Sequence, residues 1–254
     1  MQVIIIGTGK MATFLCKTIL KTGHELIAIV GRNAEKVNLL SQQFNCNGLV
    51  NAYNDLPKAD LIIIAVNDAS IEKVAISIVN TNAIVLHTAG TVSKDVLQTS
   101  SNKYGVLWPI QSIHATTITN DGIPFVIDGN SEETIAIIQQ FAESISSSIT
   151  ILNDEKRKKL HLAAVIVNNF TNHLYSLADD FCKQEQISFD LLKAIIAETS
   201  EQIKYQHPRE TQTGPAKRGD LQTIEKHVEI LQNYPNIETI YRLLSDSIQK
   251  MHLT

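Results

Sequence analysis

The chain has 254 residues, 44% hydrophobic and 19% charged, with a formal net charge of −4. That suits a soluble globular protein of one large domain or two smaller ones. The acidic balance excludes a nucleic-acid partner, and no apolar run approaches the ~18 residues of a membrane helix, which excludes a membrane partner. Cys16, Cys46 and Cys182 show no CxxC spacing, as expected of a reducing, cytoplasmic setting.

The first predicted element is the strand Val3–Ile6, which leaves no room for a secretory leader. It runs into Gly7-Thr8-Gly9-Lys10-Met11-Ala12 and a helical pattern over Lys10–Lys21, stopped by Gly23. GxGxxA at this place predicts a dinucleotide cradle. Gly7 permits the tight turn, Gly9 lets the backbone approach a pyrophosphate, and Ala12 keeps the helix close to the strand. The free N–H groups of the turn, over Thr8, Lys10 and Met11, face the phosphates.

The second strand, Leu26–Val30, ends in Gly31-Arg32-Asn33. An acidic residue there would bond the ribose 2′-hydroxyl of NAD; none is present. Arg32 has the planar, multi-donor head that suits a 2′-phosphate, and Lys36 adds charge. The cofactor expected is therefore NADP(H), with Arg32 and Asn33 at its adenosine end. Asn33 also stands where the helix Ala34–Phe44 needs its N-cap.

Further strands are predicted at Leu61–Val66, Ala83–His87, Tyr104–Trp108, Pro124–Ile127 and Ser148–Leu152. Helices are predicted at Ile71–Val79 and, capped by Ser131, at Glu132–Ile145. The alternation implies an α/β, Rossmann-type, doubly wound and mostly parallel sheet over residues 1–152. Ligands of such sheets lie outside the carboxyl ends of the strands, so Val66, Asn67 and Thr88 are expected along the nicotinamide half. Asp68 is expected to cap the helix that follows it. Pro109 and Gln111, just past a strand end, are expected to shape the cleft wall on the substrate side.

After residue 152 the strand signal vanishes, and residues 153–254 read as an all-α domain for substrate and dimerisation. Asp154–Gln184 contains no Pro or Gly and reads as one helix; three more follow at Phe189–Lys204, Leu221–Gln232 and Ile237–Met251. Asp220 reads as the N-cap of the third, with Thr223 and His227 on one side of it.

The segments "GTGKMA" (Gly7–Ala12), "HTAGTVS" (His87–Ser93), "LWPIQSI" (Leu107–Ile113), "LHLAAVIVNNF" (Leu160–Phe170) and "TGPAKRGDLQTIEKH" (Thr213–His227) carry a resemblance over almost the whole chain. The sequence resembles the Rossmann-like NADP oxidoreductases that bear an all-helical C-terminal domain of unknown function. It is similar in plan to pyrroline-5-carboxylate reductase and the β-hydroxyacid dehydrogenases. The resemblance implies a nucleotide-binding domain, a dimerising helical domain and an active cleft between them, with no assigned substrate. One departure stands out. β-Hydroxyacid dehydrogenases place a catalytic lysine one turn before an Asn of the long helix, where this chain has Ala164, Val165 and Ile166.

Hydride transfer needs one proton donor and groups that hold the substrate. His161 lies seven residues, nearly two turns, before Asn168 and is the first candidate donor. Asn168 or Asn169 would orient a carbonyl or imine. His87, at a strand end, is the alternative donor; His24, His114, His173, His207 and His252 offer no catalytic pairing. Arg218, in a glycine-flanked connection, is a candidate for a substrate carboxylate or phosphate. No metal-binding spacing and no GxSxG elbow is present. The function expected is NADP-dependent oxidation or reduction of a small carbonyl or imine substrate by a cytoplasmic homodimer. The alternatives are a non-catalytic NADP-binding sensor and a transfer between NADP and a deazaflavin.

Overall fold

The computed structural model describes residues 1–79, 81–113 and 122–252; His114 lies outside them. One sheet holds β1 (Gln2–Ile6), β2 (Glu25–Gly31), β3 (Asn47–Val50), β4 (Leu61–Ile64), β5 (Ile84–His87), β6 (Tyr104–Pro109), β7 (Phe125–Gly129) and β8 (Ile149–Ile151). The strand order is β3-β2-β1-β4-β5-β6-β7-β8. Only the β6–β7 pair is antiparallel among these neighbours. The order reverses direction between β1 and β4, which makes their carboxyl ends the switch point of a Rossmann-type sheet.

The β-branched strands form because both faces are covered. Val3 and Ile5 pack with Leu15 and Ile19 of α1 (Lys10–Leu20), with Leu40 of α2 (Ala34–Phe44) and with Phe141 of a later helix. Ile4, Ile6 and Ile62 point the other way, onto Ile71 and Ala75 of α3 (Asp68–Ser77). Each isoleucine so buried contributes about 1.5–3 kcal/mol. Ser131 caps α4 (Glu132–Ile145), the helix that supplies Phe141, by accepting from the Thr134 N–H; Asn33 caps α2 by accepting from the Lys36 N–H.

Two expectations need correction here. β3 is an edge strand of Asn-Gly-Leu-Val, mostly exposed, with no apolar run to announce it. Asp68 does not cap α3: Asn67 holds the cap position without a side-chain bond, and the Asp68 carboxylate accepts from Thr91 Oγ1 at 2.8 Å.

The chain divides into two compact units, Met1–Val167 and Asn168–Thr254. The first unit keeps α5 (Asp154–Ala164), whose cap is Asn153. A π-helical turn at Val165–Phe170 interrupts the expected single helix before α6 (Thr171–Gln184). The second unit continues with α7 (Lys193–Gln202), α8 (Pro208–Thr211), α9 (Pro215–Arg218), α10 (Leu221–Ile230) and α11 (Pro235–His252). Asp220 caps α10 by accepting from the Thr223 N–H and hydroxyl. Among its described residues this unit buries only Cys182, Ala216, Leu231 and Ser245. No helix of the described residues is long and apolar enough to cross a membrane.

A cluster of charges fastens α5 to the sheet. Arg157 is wholly buried; its Nη2 donates to the Val92 carbonyl and meets Asp154 Oδ1 at 2.7 Å, while Nη1 lies 3.9 Å from Asp128 Oδ2. The Ser93 hydroxyl donates to Asp154, and Lys94 Nζ reaches Asp128 at 2.9 Å. His87, at the end of β5, is fully buried beside them and accepts the Ala89 N–H at Nδ1. Burial, then the neighbouring Arg157 charge, pushes its pKa down to about 4. Burial opposes ionisation of Asp154 too, but the Ser93 hydrogen bond and Arg157 outweigh it and hold that carboxyl below its usual range.

The unfolded chain protonates His87 near its ordinary 6.5, the folded one only near 4. Between those values the unfolded state binds more protons, so stability falls as pH drops. Denaturant titrations between pH 7 and pH 4 should lose up to about 3 kcal/mol through this group. His87→Gln should flatten that part of the profile, whereas the Asp154 contribution disappears only at lower pH. Superimposable profiles for the two proteins would refute the assignment.

Candidate functional site

The cradle is built by the end of β1. Gly7 has φ 138°, and a Cβ on it would collide with the Ala65 carbonyl oxygen at the end of β4. The chain can cross between these strand ends only as glycine. Gly9 then occupies the N-cap of α1 with no side-chain cap, and nothing lies within 4 Å of where its Cβ would be. The first intrahelical bond runs from Thr13 N–H to the Gly9 carbonyl, so the N–H groups before it have no intrahelical acceptor. They are oriented as an anion site at a helix N-terminus requires.

A cleft of about 770 Å³ opens over this turn. Gly7, Thr8, Gly9, Lys10, Met11, Arg32, Asn33, Val66 and Asn67 line it, all of them expected from the sequence. Ala12 and Thr88 are buried behind that lining. Tyr53 and Lys73 also line the cleft and carry no sequence signal: Tyr53 lies in the irregular segment after β3, and Lys73 looks like any solvated helix lysine. Lys10, Arg32, Lys36 and Lys73 bring four cations to the lining, and among the described residues no carboxylate accompanies them. Such a field favours a polyanion, and Arg32 with Lys36 sits at the tip of β2 where a 2′-phosphate would be bound.

Strand register sets the rest of the neighbourhood. Ile6 pairs with Ile64 and Ile64 with His87, so the segment after β5 leaves the sheet level with the cradle. Gly90, three residues on, lies under α5: a Cβ there would be 2.6 Å from His161 Cδ2 and 2.9 Å from Trp108 Cε2. The His161 and Trp108 rings are 5.7 Å apart, centroid to centroid, and inclined at 45°. His161 remains half-exposed while Trp108 is 7% exposed. The sequence reading did not anticipate Trp108 as the wall of this site.

The other candidates fall less favourably. His87 is unsuited to donating a proton: it is sealed from solvent, held neutral, and its Nδ1 is engaged by the Ala89 N–H. Asn168 and Asn169 are exposed within the π-helical turn, with Asn168 Nδ2 at 3.5 Å from Asn169 Oδ1. A π turn is wider than an α turn, so the seven-residue spacing of Asn168 from His161 no longer defines a shared face. Arg218 is exposed at the end of α9, and Gln111 is exposed just past β6. His227 in the second unit pairs with the Tyr241 hydroxyl at 2.8 Å.

Comparisons with known proteins bear on the same features. Residues 2–89 match the family described as NADP oxidoreductase coenzyme F420-dependent, and residues 123–248 match a domain of unknown function, DUF2520. A Bacteroides fragilis protein described as a putative NADP oxidoreductase is 31% identical, with 98% of each chain covered and a TM-score of 0.89. The 1-pyrroline-5-carboxylate reductase of Streptococcus pyogenes is 17% identical, with 98% of each chain covered and a TM-score of 0.66. The reductive aminase of Aspergillus terreus, solved with NADPH, is 16% identical over 90% of this chain and 77% of its own, with a TM-score of 0.62. The last two show likeness of fold. No curated protein matches the chain. The chain belongs to the family of NADP oxidoreductases that join a Rossmann-type domain to a DUF2520 domain.

Proposed function

We propose that the protein transfers a hydride between NADP(H) and a small carbonyl or imine compound, with His161 as the proton donor. The observation that carries this reading is the seat of His161 on Gly90 and Trp108, at the sheet edge that holds the cradle. Bound NADPH supplies the hydride. The chain then has to supply a proton to the oxygen or nitrogen that gains the electron pair, and a half-exposed imidazole is a side chain able to carry it. Asn168 and Asn169 are proposed to orient the carbonyl or imine, Arg218 to hold a carboxylate or phosphate of the substrate, and Gln111 to border it. Arg32, Asn33 and Lys36 are proposed to select the 2′-phosphate.

The same reading takes the protein as a homodimer in the cytoplasm, joined through the helical unit. A helical unit that buries so few residues falls short of the core that an independent domain of this size needs. Its apolar groove of about 400 Å³, bordered by Leu174, Ile230 and Leu244, would be closed by a second copy.

Four outcomes are expected. NADPH oxidation should be detectable with at least one member of a panel of keto acids, aldehydes, cyclic imines and a deazaflavin. His161→Ala should then lower kcat about 10²–10⁴-fold and leave NADPH affinity unaltered; full turnover in that variant would remove His161 as the donor, and no turnover of the wild type with any acceptor would favour the NADP-binding sensor. Arg32→Ala should cost roughly 10-fold or more in NADPH affinity, the scale of one charge-assisted hydrogen bond, while sparing NADH. Light scattering should give about twice the 28.1 kDa chain mass, and Leu244→Glu should halve it; a wild-type monomer would end the dimer proposal.

A further inference from the structure

The charge cluster on α5 has no part in holding the cofactor. It lies outside the cleft lining, and it is expensive: two nitrogens of the fully buried Arg157 guanidinium, Nε and Nη1, have no hydrogen-bond partner. Buried ion pairs stabilise folds poorly compared with apolar residues of the same volume. What they do supply is directional, fixed geometry.

That geometry has a definite target. The segment after β5 meets α5 twice. Its first part carries Gly90, on which His161 rests. Its second part, Val92 to Lys94, is tied to the first turn of α5: the Val92 carbonyl accepts from Arg157, the Ser93 hydroxyl donates to Asp154, and the Lys94 N–H points to Asp154 at 3.4 Å. Asp128 of β7 adds a tie from the sheet through both Lys94 and Arg157. Arg157 and His161 are four residues apart, hence on one face of α5 and about 6 Å apart along its axis.

We propose that Arg157 is a positioning residue: clamped to Val92 and Asp154, it fixes the α5 face that keeps His161 seated on Gly90 and Trp108. The inference rests on His161 being the proton donor. The His161 seat has little tolerance, because Gly90 already brings the imidazole and the indole to within van der Waals contact of the backbone. A displacement of about 1 Å at a reacting group costs on the order of 100-fold in rate.

The test uses Trp108, the sole tryptophan of the chain, whose indole N–H gives one cross-peak in a ¹⁵N–¹H NMR spectrum. His161→Ala defines the position of that peak without the stacked imidazole. Arg157→Met should move the peak toward the His161→Ala position and lower kcat about 100-fold, with NADPH affinity changed by less than about twofold because the cradle is on other elements. Arg157→Lys, which keeps the charge and loses the forked head, should fall between. A folded Arg157→Met with a lower Tm and an unmoved indole peak would show a structural role alone and overturn the proposal. Where Arg157→Met does not fold, Asp154→Ala removes the Ser93 and Arg157 ties and is judged by the same peak. Should His161→Ala turn over normally while Arg157→Met still moves the peak, the proton-donor reading fails and the positioning role stands.

Discussion

The close passage of the backbone at Gly7 is the constraint on which the rest depends. The end of β1 runs so near the Ala65 carbonyl at the end of β4 that no side chain fits between them. This contact keeps two central strands paired to their ends and turns the chain into α1 at once. Because α1 starts there, its unbonded N–H groups sit above the switch point of the sheet. A helix begun two residues later would leave the same groups pointing away from the cleft.

Electrostatics divides along the same edge. The cleft gathers four cations on exposed, solvated stems, which attract a polyanion at little cost to the fold. Outside that lining, the charges around Arg157 are buried or partly buried and balanced in sign, and the role proposed for them is in position rather than affinity. His87 belongs to this second population. Its strand-end place resembles that of a catalytic group, but desolvation and the adjacent guanidinium keep it neutral and internal.

Much of the nucleotide domain was legible in the sequence because its strands are β-branched runs and its helices are periodic and capped. Asn33, Ser131 and Asp220 cap the helices expected of them, since each has a side-chain oxygen next to an unpaired backbone N–H. The failures share a physical cause. β3 owes its pairing to the exposed edge of β2 rather than to its own residues. Asp68 is drawn from the cap by Thr91, twenty-three positions away. The π-helical turn at Val165–Phe170 breaks no propensity rule, so a continuous apolar pattern reads as a straight α-helix.

The sequence by itself determined the sheet, the glycine turn, the cationic tip at Arg32 and the helical second half, because each depends on local sterics, period or charge. Only the tertiary structure separates the two candidate histidines, burying His87 and seating His161 on Gly90 and Trp108. That difference depends on strand register, which carries Gly90 level with the cradle, and on the ion pair and hydrogen bonds that tie α5 to the segment after β5. Trp108, Tyr53 and Lys73 join the site for the same reason: their neighbours are distant in the chain, and proximity of that kind leaves no periodic trace.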